Sequence, residues 1–227
     1  MPQEYVYKLF QYIAFLFAIS IHESAHAWMA NRRGDPTARM LGRISLNPLK
    51  HIDPVGTVLM PLIAIVTGFP TIGWAKPTPV DPRNFKNPVL DDILTAVVGP
   101  ISNFIVAAGA TVILLIVKHS SSTGSQIVFG LPQGWVSFGS ESLLVPISLF
   151  IYEVLFINVL LAVFNLIPIP PLDGSHVIRH FLPESIGKIY DTAGWIGLLA
   201  LVYLGGGLLS NLIRPFVRFF NYFLVRG

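Results

Sequence analysis

Residues 18 to 30 read "AISIHESAHAWMA" and set two histidines and a glutamate, His22, Glu23 and His26, inside an otherwise apolar run. Ionisable groups in such a helix are rare and costly, and where they occur they mark function. Composition tells what surrounds the helix. Hydrophobic residues make up 53% of the 227 and charged residues 12%, whereas a soluble domain carries about 25% charge. Mean hydropathy is +0.65. The chain reads as an all-α polytopic membrane protein, one unit of a few membrane helices. It has no cysteine, so disulfides are excluded and any metal site must use His, Asp or Glu. The net charge of +3 comes from basic residues too few and too scattered for nucleic-acid binding, and membrane topology accounts for them. The first apolar run lacks a basic start and holds the His–Glu cluster where a cleavage site would fall, so no cleavable signal peptide is expected.

Four stretches are long enough to cross a bilayer: residues 6 to 31, 92 to 117, 143 to 167 and 189 to 213, the last loosened by glycines at 205 to 207. A fifth, residues 53 to 69, is apolar but short, with Pro61 in its middle, which suits a re-entrant segment. The expected architecture is four to six transmembrane or re-entrant helices. A small extended or β segment over the Pro-rich residues 73 to 88 would lie near the cytoplasmic face. Arg32, Arg33, Arg39, Arg43 and Lys50 follow the first helix and mark its end as cytoplasmic. The segment 119 to 142 has Glu141 as its only acidic or basic residue and fits the outer side, where His119 would lie. If residues 53 to 69 turn back, the third long helix ends at the depth of the His–Glu cluster. If they cross, the two lie on opposite faces. Arg214, Arg218 and Arg226 would follow an outward-running last helix, against the charge rule unless the chain turns at the glycines or lies along the interface.

His22 and His26 are four apart and share one helix face, so both can offer a nitrogen to one ion. Glu23 projects where it can reach a water on that ion, the H-E-x-x-H arrangement in which the metal acidifies water and the glutamate takes the proton. A third protein ligand is needed. In "NLIPIPPLDGSH", residues 165 to 176, prolines 168, 170 and 171 must unwind the chain just past Ile167. Unwound backbone at membrane depth is tolerated only against protein or a water-filled cavity. Asp173 at its end is the expected third ligand, Gly174 allows close backbone approach, and His51 stands in reserve. Glu153, inside the third long helix, is the only glutamate candidate for a third ligand, but it lies about 18 Å above Asn165 at 1.5 Å per residue, too far to join.

H-E-x-x-H in a membrane helix with N-x-x-P-x-P-x-L-D-G far downstream resembles the site-2 protease family of intramembrane zinc metalloproteases. "GPISN" (99 to 103) resembles the family's G-P-x-x-N. "RISLNPLKHIDPVGTVLMP" (43 to 61) and "GWAKPTPV" (73 to 80) resemble its short members without PDZ or CBS domains. Ser175 stands where many members have a second glycine. The resemblance implies one Zn2+ per chain held by His22, His26 and Asp173, with Glu23 as general base. It implies that Asn165 holds substrate backbone or stabilises the oxyanion, while Asn103 is expected to pack helices. It also implies a single metalloprotease domain over residues 1 to 227 that hydrolyses peptide bonds in transmembrane segments of membrane-anchored proteins. The location implied is a prokaryotic plasma membrane, with the active site toward the cytoplasm. The rival class is a zinc-binding scaffold or transporter without protease activity, although a transporter should show polar residues along a complete path.

Overall fold

The computed structural model describes residues 3–67, 73–137 and 142–227. Among them the chain is helical: α1 (Gln3–Arg33), α2 (Thr37–Met40), α3 (Met60–Thr67), α4 (Pro88–Ser120), α5 (Ser122–Gly130), α6 (Leu144–Asn165), α7 (Asp173–Arg179), α8 (Glu184–Leu204) and α9 (Gly206–Arg226). Three helices, Glu4–Arg33, Pro88–Ser120 and Leu144–Asn165, are long and apolar enough to cross a membrane, and α8 with α9 make a fourth candidate bent by 80°. The break falls at Gly205, where a Cβ would sit 2.5 Å from the Leu201 carbonyl oxygen.

The spans meet through different kinds of surface. Ala14 and Ala18 of α1 are fully buried with Ile157 of α6, small residues that let two helices approach closely where lipid removes the ordinary hydrophobic drive. Leu114 and Ala107 of α4, Leu149, Leu155 and Val159 of α6, and Phe220 and Leu224 of α9 form the largest apolar cluster. Outward, Ile105 and Ile116 of α4 and Ile196 of α8 are exposed, an apolar exterior suited to lipid.

The segment that starts at residue 54 begins and ends at the same end of the bundle. Asp53 accepts hydrogen bonds from the amides of Val55 (3.0 Å) and Gly56 (2.7 Å), starting a helical segment that runs into α3. The chain then comes back to where that segment began: the Trp74 amide donates to Gly56 O at 3.3 Å and Thr57 Oγ1 donates to Trp74 O at 2.8 Å. The end of α1 also meets the start of α4, with Arg33 Nε 2.6 Å from Asp91 Oδ1. Residues 34 to 87 therefore make no net crossing, and α1 and α6 both end at one end of the bundle. Residues 68 and 69 of the expected segment and Glu141 lie outside the described residues.

The β part of the expectation is not met among the described residues. Residues 73 to 81 are extended without a ladder, and Pro82–Asn84 form a single turn before α4. Pro77 and Pro79 remove two amide donors from the stretch, which breaks strand pairing. The Arg43 guanidinium holds the stretch instead, donating to the carbonyls of Lys50, Lys76 and Pro77. Past the bend, α9 runs alongside the bundle so that Lys118, near the end of α4, donates to the last carbonyls of α9 at Leu224 (2.8 Å) and Val225 (3.1 Å). Arg214 and Arg218 are exposed on α9.

Candidate metal centre

His22 and His26 lie on one face of α1 with ring centroids 4.6 Å apart. Asp173 begins α7, immediately after the proline-rich unwinding of α6. Its Oδ2 is 3.1 Å from His22 Nε2 and its Oδ1 is 3.4 Å from His26 Nε2. One ligand atom from each of the three residues lies within 4.8 Å of the others. Both glycines flanking the group are required by space. A Cβ on Gly99 would be 2.4 Å from His26 Nε2, and one on Gly174 would be 2.3 Å from the Leu166 carbonyl oxygen.

The far sides of both rings fix their tautomers. His26 Nδ1 is 2.6 Å from the Thr95 carbonyl oxygen, which can only accept, so the proton sits on Nδ1. His22 Nδ1 is 2.6 Å from Asn103 Oδ1. The Asn103 amide cannot be the other way round. Its Nδ2 donates to Ala18 O (3.2 Å) and to Asn158 Oδ1 (2.8 Å), while Asn158 Nδ2 donates to Val154 O (2.8 Å). With the proton on Nδ1, each ring in its neutral form turns an Nε2 lone pair toward the Asp173 carboxylate, whose buried Oδ2 has no hydrogen-bond partner. In that neutral form three acceptors converge without a donor between them, and a metal cation satisfies all three at once, so the donor set fits a metal. The Nδ1 hydrogen bonds are the outer-shell contacts that orient metal-binding imidazoles.

These residues line a cavity of about 590 Å³ together with Glu23, Thr78 and Asn165. The Glu23 carboxylate is held by Thr78, whose amide (2.8 Å) and hydroxyl (2.7 Å) both donate to Oε2. Asn165 Nδ2 donates to Leu161 O at 3.0 Å within its own helix, which places the amide on the cavity wall and not in the metal group. A second cavity of about 600 Å³ adjoins the first and shares Phe15, Gly73, Leu161 and Phe164 with it.

A match to the model of peptidase family M50 covers residues 10–204. The chain belongs to peptidase family M50. This is the site-2 protease family, and membership makes the protein a membrane metalloprotease. The chain is 35% identical over 192 residues to "Putative zinc metalloprotease YwhC" of Bacillus subtilis, covering 85% of this chain and 78% of that one. It is 26% identical over 216 residues to "Zinc metalloprotease MJ0392" of Methanocaldococcus jannaschii, covering 93% of this chain and 47% of the other. No solved structure matches it.

In this M50 peptidase the other sequence candidates lie elsewhere. His51 is buried, its Nε2 donating to Ser45 O at 2.7 Å, and burial pushes its imidazole below the ordinary range. It is absent from the metal group, so the reserve ligand is not needed. His119 is exposed and bonds Leu115 O at 2.8 Å. Glu153 is buried in α6, far along the helix from Asn165. His176 and His180 both reach Asp92 Oδ2, at 3.2 and 2.8 Å, and tie α7 to α4. Thr78, Asn158 and the Thr95 carbonyl escaped the sequence reading. None carries a motif of its own, and each matters only through what the fold sets beside it. Asn103, expected to pack helices, does so and also orients His22.

Proposed function

We propose that this M50 peptidase is an intramembrane zinc metalloendopeptidase that cleaves transmembrane segments of membrane-anchored proteins. The observation that carries the proposal is the buried convergence of His22 Nε2, His26 Nε2 and Asp173 on one point, facing a cavity that also holds Glu23. The relatives named as zinc metalloproteases favour zinc as the ion. His22, His26 and Asp173 would hold one zinc per chain, and three protein ligands leave a position open, as catalytic zinc sites require. When bound, the metal supplies Lewis acidity toward a peptide carbonyl and acidifies a water.

The chain's own residues do the rest. Glu23 accepts a proton from the attacking water and returns it to the departing amide nitrogen. Asn165, on the cavity wall near the end of α6, would hydrogen-bond peptide backbone with its side-chain amide. A substrate helix must unwind before its carbonyls are accessible. Extended residues 73 to 80 border the cavity and offer a surface along which the unwound peptide can lie. The adjoining apolar cavity is a route by which a membrane segment can reach the site. One domain over residues 1 to 227 carries all of this. Arg32, Arg33, Arg39, Arg43 and Lys50 cluster at the site's end of the bundle, which favours a cytoplasm-facing site in a prokaryotic plasma membrane.

The test compares the purified wild type with Glu23→Gln on a transmembrane peptide in liposomes, with bound zinc measured in both. Loss of general-base catalysis costs about 100- to 10,000-fold, so cleavage by Glu23→Gln should be barely detectable while zinc stays bound. Equal cleavage by both overturns the mechanism. Zinc bound without cleavage by the wild type points to a scaffold.

A further inference from the structure

Residues 74 to 78 form an extended stretch whose amides alternate in direction, as extended backbone requires. The amides of Trp74, Lys76 and Thr78 all face the protein, donating to Gly56 O (3.3 Å), His51 O (2.9 Å) and Glu23 Oε2 (2.8 Å). The opposite edge is nearly without donors. Ala75 N–H has no partner among the described residues, and Pro77 and Pro79 have no N–H at all. One stretch on the cavity wall therefore carries a single free amide, at Ala75, and grips a carboxylate through another, at Thr78.

The grip is made at one residue. Thr78 sends its amide to Glu23 Oε2, and its hydroxyl lies 2.7 Å from the same oxygen and 3.0 Å from the Glu23 backbone carbonyl oxygen. A glutamate side chain has three rotatable torsions, and two donors from one residue select a single arrangement. The stretch itself cannot drift, because the buried Arg43 guanidinium binds the carbonyls of Lys76 and Pro77, directly before Thr78.

We propose that Thr78 is the positioning residue for Glu23, so that the stretch lining the peptide's path also sets where the proton acceptor stands. This rests on the reading of Glu23 as the proton acceptor. The hydroxyl is the part specific to this residue, since any residue but proline would supply the amide.

Two experiments test it. Thr78→Val keeps shape and amide but removes the hydroxyl, and misplacing a reacting group by about 1 Å costs on the order of 100-fold. The expected result is kcat lower by about 10- to 100-fold, with KM and zinc content unchanged, and most of the rate restored in Thr78→Ser. Wild-type kcat in Thr78→Val, an effect on KM alone, or equal impairment in Thr78→Ser overturns the proposal. The second experiment needs no metal and no turnover. Thr78 has the only exchangeable backbone amide in Pro77–Thr78–Pro79, so hydrogen exchange of that stretch reports the grip directly. In metal-free protein, Glu23→Ala should speed exchange at Thr78 about tenfold or more while Lys76 stays protected. Unchanged exchange at Thr78 overturns the proposal. Glu23→Gln separates the two readings. An inactive Glu23→Gln beside a fully active Thr78→Val sinks only the role of Thr78, whereas an active Glu23→Gln sinks both.

Discussion

The tautomer of His22 is decided three residues away from the metal group. Val154 O binds the Asn158 amide, Asn158 Oδ1 binds the Asn103 amide, and Asn103 Oδ1 is left to accept the proton of His22 Nδ1. Outer-shell contacts of this kind are worth about 10- to 100-fold in metal affinity. Asn103→Ala should therefore weaken zinc binding by about that factor, measured by competition with a chelator. Asn158→Leu should act in the same direction but less, because it frees the Asn103 amide to rotate without removing it. Gly99→Ala is a sharper test, since its methyl would fall 2.4 Å from His26 Nε2. Bound zinc should be lost while circular dichroism shows the helices intact. His22, Glu23 and His26 were legible in the sequence because one helical period puts both histidines on one face. Asn158 was not, since one more amide in an apolar helix carries no local pattern.

At the scale of elements, two pieces of non-spanning chain complete the site. Helix α7, which carries Asp173, is tied to α4 by His176 and His180 on Asp92. The hydrogen bond to Asp92 holds the His176 imidazole above its ordinary value of 6.5, outweighing the lowering effect of burial. A folded-state pKa above the unfolded value means that this contribution is complete below pH 6.5 and fades as pH rises through the raised folded value. The gap in melting temperature between wild type and Asp92→Asn should accordingly be widest in mild acid and narrow at alkaline pH. The other piece is the extended stretch. Arg43→Met removes a buried cation bonded to three carbonyls, and an effect of about 3 kcal/mol on unfolding in mixed detergent is expected. Ala75→Pro removes the one amide of the stretch that has no partner among the described residues. If substrate pairs there, KM should rise about tenfold, the worth of one backbone hydrogen bond. The unwinding of α6 was legible because three prolines within four residues leave no alternative. The lack of strand pairing was not: "GWAKPTPV" is extended by its prolines, but whether anything pairs with it depends on elements distant in the chain.

For the whole molecule, the site closes because α1 and α6 end together. That requires residues 34 to 87 to return to the end they left, which the Arg33–Asp91 contact and the Trp74–Gly56 hydrogen bond record. A consequence concerns metal removal. With Asp173 on α7 and both histidines on α1, a cation held by the three would bridge parts of the chain about 150 residues apart in sequence, and that link would be lost once it leaves. Stripping zinc should lower the melting temperature, and restoring it at 1,000 times its Kd should recover about 4 kcal/mol. The Ala variant of Asp173 should no longer respond. The sequence alone determined the membrane setting and the helices long and apolar enough to cross it, and it singled out His22, Glu23, His26 and Asp173, because composition, helical period and proline act locally. Only the tertiary structure decided that the chain is back beside Gly56 by Trp74, that Asn103 and Thr95 O orient the imidazoles, and that Thr78 holds Glu23. Each of those depends on groups brought together across the fold, and no local pattern encodes which carbonyl or amide will stand opposite.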